Sequence, residues 1–163
     1  MTFHTADLCD AHSDSLQIAE PILQNFGGAN AFRGRISTIK TFEDNSLVRE
    51  AVEGPGKGRV LVVDGGGSMR CALFGDNLAA LAVENGWAGV VINGCIRDSE
   101  VIGGMKLGLK ALATHPLKSV KRGLGDAAVP ATFAGVNFIP GHYLYGDLDG
   151  IVVSATELTL DSR

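Results

Sequence analysis

Two apolar runs in this sequence end in residues that can do chemistry. The first is Val91-Ile-Asn-Gly-Cys-Ile-Arg-Asp98, where a strand-like stretch delivers Arg97 and Asp98 side by side. A guanidinium receives a carboxylate through two parallel hydrogen bonds, each charged bond contributing roughly 1.5–3 kcal/mol, and an aspartate oxygen suits a hard divalent cation. The pair can therefore hold a metal-chelated oxo acid. Alone, an Arg-Asp dipeptide is more often a surface ion pair. Asp76 raises it above that. It stands twenty intervening residues earlier, in Gly75-Asp-Asn-Leu78, at the expected start of a helix whose free amides can receive a carboxylate.

The second run ends in Val63-Asp-Gly-Gly-Gly-Ser68. Its glycines would let backbone approach a ligand and would free amides to meet an anion; the plainer reading is a tight turn. The cluster matches neither Gly-x-Gly-x-x-Gly nor a Walker loop. Other groups offer less. His4, His12, His115 and His142 are widely spaced and form no His-Glu-x-x-His, so none is assigned to a metal. Ser13 and Ser68 lack a nucleophile elbow, and Cys95 beside an apolar strand reads as a small core residue. Lys106, Lys110, Lys118 and Lys121 lie among glycines and charges, so they read as solvated lysines rather than as the desolvated amine of a Schiff-base aldolase.

The elements that must position these groups follow from periodicity. Thr5 and Asp7 are placed to cap a first helix carrying Leu8, Cys9, Ala11 and Leu16 inward and ending near Pro21. Residues 32–42 read as a half-buried strand with Ile36 and Phe42 in phase and Ile39 out of it. Leu47, Val48, Ala51 and Val52 recur at helical spacing before Gly54-Pro-Gly-Lys-Gly58 turns the chain. Residues 59–64 form a continuous apolar run, expected as a central strand buried on both faces. A helix over 77–84 ends at Asn85-Gly86, and 88–92 is a further buried strand. Strand, helix, strand implies a parallel crossover and an α/β sheet, with ligands at the strands' carboxyl ends. A short helix after Asp98, a strand at 109–113 and β-rich segments at 129–133, 136–139 and 150–153 complete the chain, the last third reading as antiparallel sheet.

The chain has 163 residues, enough for one core and read as one domain over 1–163. Hydrophobic residues at 45% against 20% charged argue against disorder. A net charge of -4, without a Lys/Arg block, argues against nucleic acid as a direct ligand. No apolar stretch approaches the ~20 residues of a membrane span, and the N-terminus lacks the basic start and apolar run of a secretory signal. Three cysteines without Cys-x-x-Cys spacing fit reduced thiols in the cytoplasm.

Asp76, twenty residues, then Arg97-Asp98 resembles the Asp/Glu-x20-Arg-Asp mark of class II 4-hydroxy-4-methyl-2-oxoglutarate aldolases and their relatives, the regulators of ribonuclease activity A. The resemblance extends through 60–69, 87–98, 114–116 and 149–153. It implies a layered α/β/β fold, swivelling-domain-like, with a central mixed sheet, helices on one side and a β-rich C-terminal third. It further implies retro-aldol cleavage of 4-hydroxy-2-oxo acids to pyruvate, with oxaloacetate decarboxylation as a second activity. By resemblance Arg97 binds the pyruvoyl carboxylate, Asp98 ligates Mg or Mn, Asp76 orients a water, and Gly75, Asp76, Asn77 and Leu78 meet substrate. A homotrimer or hexamer is implied too. The regulator branch, which inhibits ribonuclease E by protein contact, typically lacks the complete set that this chain keeps. Two departures stand out: Val101 sits where some family aldolases carry an acid, with Glu100 one place earlier, and the C-terminal extension of longer aldolases is missing.

Overall fold

The computed structural model describes residues 2–160. Helix α1 (Thr5–His12) leads through a 3-10 turn into β1 (Leu16–Ile18), β2 (Gln24–Asn25) and the long β3 (Phe32–Lys40). Next come α2 (Ser46–Glu53), β4 (Val60–Asp64), β5 (Ala72–Phe74), α3 (Asp76–Glu84), β6 (Gly89–Ile96), α4 (Ser99–Ile102) and β7 (Gly108–Thr114). The last third holds β8 (Asp126–Ala127), β9 (Ala131–Phe133), β10 (Val136–Phe138), β11 (Tyr143–Gly146) and β12 (Ile151–Ser154).

The main sheet is mixed, in the order β1-β12-β11-β3-β4-β6-β7-β2. Its centre, β3-β4-β6-β7, is parallel, as the crossover helices require, while β11, β12 and β1 extend it antiparallel. β5 adds beside the end of β6, and β9–β10 form a separate hairpin. The expected parallel core and antiparallel last third are both present.

The central strands are apolar throughout because both faces are covered. Along β4, Leu61 and Val63 face one cluster with Val48 and Val52 of α2 and Leu78, Ala79 and Ala82 of α3. Val60 and Val62 face the other, with Phe133, Phe138, Leu144 and Val153. β3 is the half-buried strand of imperfect alternation that was expected: Ile39 packs under the helices and Ile36 on the opposite cluster, Arg35 and Lys40 are exposed, and Phe42 lies past the strand end and is exposed. Phe32 sits flat across the sheet where Gly89 and Gly108 leave room; a Cβ at either would stand 2.3 or 2.1 Å from its ring.

The first helix differs from expectation. It stops at His12, and Leu16 belongs to β1, because residues 16–18 pair with β12. Neither Thr5 nor Asp7 caps it from within; the residue before the helix is His4, with no side-chain cap. The carboxylate of Asp147, from the β11–β12 turn, does that work in trans. Its Oδ2 accepts from the Thr5 amide at 2.7 Å and its Oδ1 from the Thr5 hydroxyl at 2.6 Å. Lys110 also departs from its reading as solvated: it is 2% exposed, and its Nζ donates to the Asp147 carbonyl at 2.5 Å. Burial pushes its pKa down, against the pull of Asp147 and Asp149.

Candidate active site

Two strand ends placed side by side make the site. β5 and β6 run parallel with Phe74 beside Ile96, and the Arg97 amide donates to the Phe74 carbonyl at 2.9 Å. The residues that follow, Gly75-Asp76 and Arg97-Asp98, therefore leave the sheet at the same edge. β5 is a strand that the sequence reading passed over. Its signal was the four-residue apolar run Cys71-Ala-Leu-Phe74, set between Arg70 and Gly75.

Asp98 takes a left-handed conformation, φ 59 and ψ 37, which aspartate tolerates better than bulkier residues. The turn swings its carboxylate back over the start of α3, where Oδ2 accepts from the Asp76 amide at 3.1 Å. The first amides of a helix have no partner within it, so Asp98 satisfies one, and those of Asn77 and Leu78 remain available to a ligand. Gly75 makes this approach possible. A Cβ there would lie 2.7 Å from Asp98 Oδ2, 3.3 Å from Arg97 Cγ and 3.5 Å from Arg97 Nε. Its φ of -142 is ordinary extended backbone, so glycine is needed for space and not for conformation.

Gly75, Asp76, Asn77, Leu78, Arg97 and Asp98 all line one pocket of about 100 Å³. Every residue singled out for the site from sequence is thus brought to one place. Six further lining residues were not assigned to the site from sequence: Asn45, Arg49, Ala72, Phe74, Lys118 and Lys121. The two lysines are indeed solvent-exposed, as expected, but they face this pocket. Only long-range packing could have revealed them.

The other suspect, the glycine loop after β4, resolves to the plain turn. The Gly65 and Gly67 amides donate to the Asn93 carbonyl, both at 3.1 Å, and the Gly66 amide to Asp64 Oδ1 at 3.0 Å. Asn93 Nδ2 donates to the same Asp64 oxygen at 3.0 Å. With its amides engaged internally, the loop is not built as an anion cradle. Cys71 and Cys95 are buried, and burial raises both thiol pKa values, which keeps them protonated at neutral pH.

Among the described residues no group of three or more His, Cys, Asp or Glu side chains converges on a point. That donor set suits one kind of cation. Asp98 leaves Oδ1 free while Oδ2 is held, and Mg-like ions bind through one or two carboxylates and keep several waters, whereas a structural zinc requires four protein ligands. Asp98 is therefore the side chain here that could hold such an ion.

A layered α/β protein whose parallel strands end in an acid–guanidinium–acid pocket is the class of molecule that this geometry defines. The chain belongs to the Aldolase/RraA family, whose RraA-like model matches residues 5–153. A relative from Aromatoleum aromaticum, provisionally named a 4-hydroxy-4-methyl-2-oxoglutarate aldolase, is 61% identical over 97% of this chain and 99% of its own length. Among solved structures, the RNA-processing inhibitor RraA of Thermus thermophilis superposes with a TM-score of 0.93 at 44% identity, covering 98% of this chain and 96% of its own. A Geobacillus kaustophilus protein titled S-adenosylmethionine:2-dimethylmenaquinone methyltransferase superposes at 0.92 with 53% identity, covering 95% of this chain and 96% of its own.

Proposed function

We propose that this chain is a divalent-metal-dependent lyase that cleaves 4-hydroxy-4-methyl-2-oxoglutarate and related 4-hydroxy-2-oxo acids to pyruvate, and decarboxylates oxaloacetate through the same enolate. The observation that carries the reading is the 3.1 Å contact of Asp98 Oδ2 with the Asp76 amide, which gathers both acids and Arg97 at one pocket. The aldolase name borne by the Aromatoleum aromaticum relative supports it.

In this reading Arg97 receives the pyruvoyl carboxylate through its guanidinium, and the free amides of Asn77 and Leu78 meet the same anion. Asp98 would hold Mg or Mn, and such a cation would supply electron withdrawal from the 2-oxo group and so stabilise the enolate. Asp76 positions the water that takes the C4 hydroxyl proton. The C3–C4 bond then breaks, its electron pair passes to C3, C4 becomes a carbonyl, and the same water returns the proton to C3. Oxaloacetate loses carbon dioxide from the equivalent position. Homo-oligomerisation as a trimer or hexamer belongs to the same proposal and is checked by light scattering.

The test is pyruvate release from several oxo acids, with Mg or Mn and with chelator. Asp98→Ala should abolish metal-dependent turnover, and Arg97→Ala should lower kcat and raise KM together. Full activity of either variant, or turnover in chelator, would refute the assignment. A second reading, inhibition of ribonuclease E by surface contact, is favoured by the likeness to the Thermus thermophilis inhibitor. Ribonuclease inhibition measured on the same preparation separates the two, since inhibition without lyase turnover would favour it.

A further inference from the structure

The helical layer leaves part of the sheet bare. Along β3, Phe32 and Ile36 go to the cluster on the far face, so Arg33, Arg35 and Ser37 take the face of Ile39, on which α2 and α3 pack. Tyr143 and Tyr145 of β11 stand opposite Arg35 and Arg33 in register and share that face. α2 stops at Glu53, and Gly54-Pro55 leads the chain away toward β4. Two hollows result, with Arg35 lining both. One, of about 530 Å³, lies between β3 and α2 and is mostly apolar, with Ile39, Leu47, Ala51, Leu61 and Trp87 in its lining. The other, of about 540 Å³, is polar, with Arg33, Tyr143, Tyr145 and Glu157. Arg59 and Trp87 directly precede β4 and β6, so the trough lies at the amino ends of the parallel strands, away from the carboxyl ends that carry the pocket of Asp98.

Two arginines of the apolar hollow are held in place, but not by carboxylates. Arg35 donates from Nε and Nη2 to the Tyr143 hydroxyl at 3.2 and 2.9 Å, with its guanidinium 5.3 Å from the ring centroid. Arg59 lies over the Trp87 ring at 4.9 Å. Its Nε donates to the Gly56 carbonyl at 3.0 Å, its Nη2 to the Pro55 carbonyl at 2.9 Å and its Nη1 to the Ser37 hydroxyl at 2.8 Å. Ser37 is two residues along β3 from Arg35, on the same face, so both guanidiniums border one hollow. Neither has an ion-pair partner among the described residues, and the lining sets one acid against them, the exposed Glu50. A guanidinium oriented beforehand on an aromatic ring loses little freedom when it pairs with an anion. A mainly apolar cavity of several hundred Å³ with a few placed polar groups has the form of a small-molecule site.

We propose that the trough is a second ligand site, for an organic anion with a flat apolar body. The body fills the hollow beside Trp87, Leu47 and Ala51, and the anionic head lies between Arg35 and Arg59, whose remaining N–H groups donate to it. A neutral ligand would leave both cations without a counter-charge, and a small hydrophilic anion would leave the apolar hollow unfilled. The site shares no lining residue with the pocket of Asp98, so it does not depend on the lyase chemistry proposed there.

Fluorescence titration of the full chain with two probes tests it: anilinonaphthalenesulfonate, and phenylnaphthylamine, which has the same rings without the sulfonate. The wild type should bind both, with a single saturable site for the anion. In Arg35→Gln/Arg59→Gln the preference for the anion over the neutral probe should fall at least about tenfold, since one charged hydrogen bond contributes that much or more, while the neutral probe's Kd stays within about threefold. Arg35→Lys/Arg59→Lys, which keeps the charge, should retain part of the preference. Arg59 also ties down the turn at Gly56, so where the pair fails to melt cooperatively Arg35→Gln alone serves, with an expected fall of at least about threefold. Ala127→Phe, on the exposed rim, should fill the hollow and weaken both probes by about tenfold or more. A preference unchanged in the glutamine variants, an equal weakening of both probes there, or full binding by Ala127→Phe would each overturn the site. So would a wild type that binds neither probe, the outcome expected if a second copy of the chain covers the trough.

Discussion

Replacing Gly75 by alanine perturbs the site with one methyl group. The new Cβ would fall 2.7 Å from Asp98 Oδ2, whereas an unstrained carbon–oxygen contact is about 3.3 Å, so the carboxylate must retreat by roughly 0.6 Å. Moving away lengthens a 3.1 Å hydrogen bond to the Asp76 amide past the useful limit, and Asp98 is freed from the start of α3. Misplacement of a reacting group by 1 Å costs on the order of a hundredfold, so the expected loss in kcat/KM is about ten- to a hundredfold, or roughly 1.4–2.8 kcal/mol of transition-state stabilisation. Stability should change far less. The backbone angles suit alanine, and losing a helix cap costs about 0.5–2 kcal/mol. Steady-state pyruvate release with saturating Mg, beside thermal melts, reads both quantities. Gly150→Ala is the control, because a Cβ there meets nothing within 4 Å. A Gly75→Ala enzyme within twofold of the wild type would show that the close approach of these strand ends does not matter to turnover.

Substitutions at three further residues probe supports of the fold. Burial alone would raise the pKa of Asp44, but hydrogen bonds from the Ser46 hydroxyl and amide and the Leu124 and Arg122 amides outweigh it and hold the pKa at about 2. Its folded pKa lies below the unfolded one, so its contribution is complete above about pH 4 and is lost as pH falls through about 2; allowing for screening it is roughly 1–2 kcal/mol. Urea melts of wild type and Asp44→Asn should therefore differ by that amount at pH 7 and converge on acidification, and a gap that persisted at pH 2 would contradict the account. Lys110→Ala should cost about 2–4 kcal/mol, by opening a cavity and orphaning the Asp147 carbonyl, while Lys110→Met, which keeps the stem, should cost less. As the pKa of Lys110 is lowered by folding, the wild type should gain stability relative to Lys110→Met as pH climbs toward the ordinary lysine value, seen in melts from pH 8 to 10. Asp64→Ala unpins the glycine loop and should lower stability by about 1–3 kcal/mol while kcat stays within a few-fold of wild type; a kcat loss as large as that of Gly75→Ala would return the loop to the active site.

The parts of the fold legible in sequence were those written in local periodicity. The uniform burial of β4 shows as an unbroken apolar run, and α3 shows as a run of strong helix formers closed by Asn85-Gly86. What was illegible depended on partners distant in sequence. Leu16 has the right spacing for α1, yet the vacant edge of β12 takes it into a strand. Lys110 looks solvated among its neighbours, but Asp147 lies above it only after β11 and β12 have folded back. The site divides in the same way. Asp76, Arg97 and Asp98 declare themselves by residue type at strand and helix ends, whereas Lys118 and Lys121 become part of the pocket only through the bridge to β5 and the hydrogen bonds of Asp44 and Asn45.

Both strand ends that drew attention carry glycine, an acid and free-looking amides, and the difference between them is where the acid spends its oxygens. At the end of β4, Asp64 lies within its own turn and is 8% exposed; its Oδ1 is consumed by Gly66 and by Asn93 from the neighbouring strand. Such an acid stabilises its own turn. At the end of β6, the left-handed backbone of Asp98 carries its carboxylate across to another strand's helix, where one oxygen is fixed and the residue lines the pocket. Fixing one oxygen orients the carboxylate without saturating it, which is the condition for a preorganised ligand. The guanidinium of Arg97, one residue earlier, then sits against Gly75 rather than against a protein carboxylate, so its fork is available to an incoming anion. A single short strand, β5, brings these conditions together: without it Gly75 would not reach Asp98, and an acid, a guanidinium and a helix start would remain three separate features of the surface.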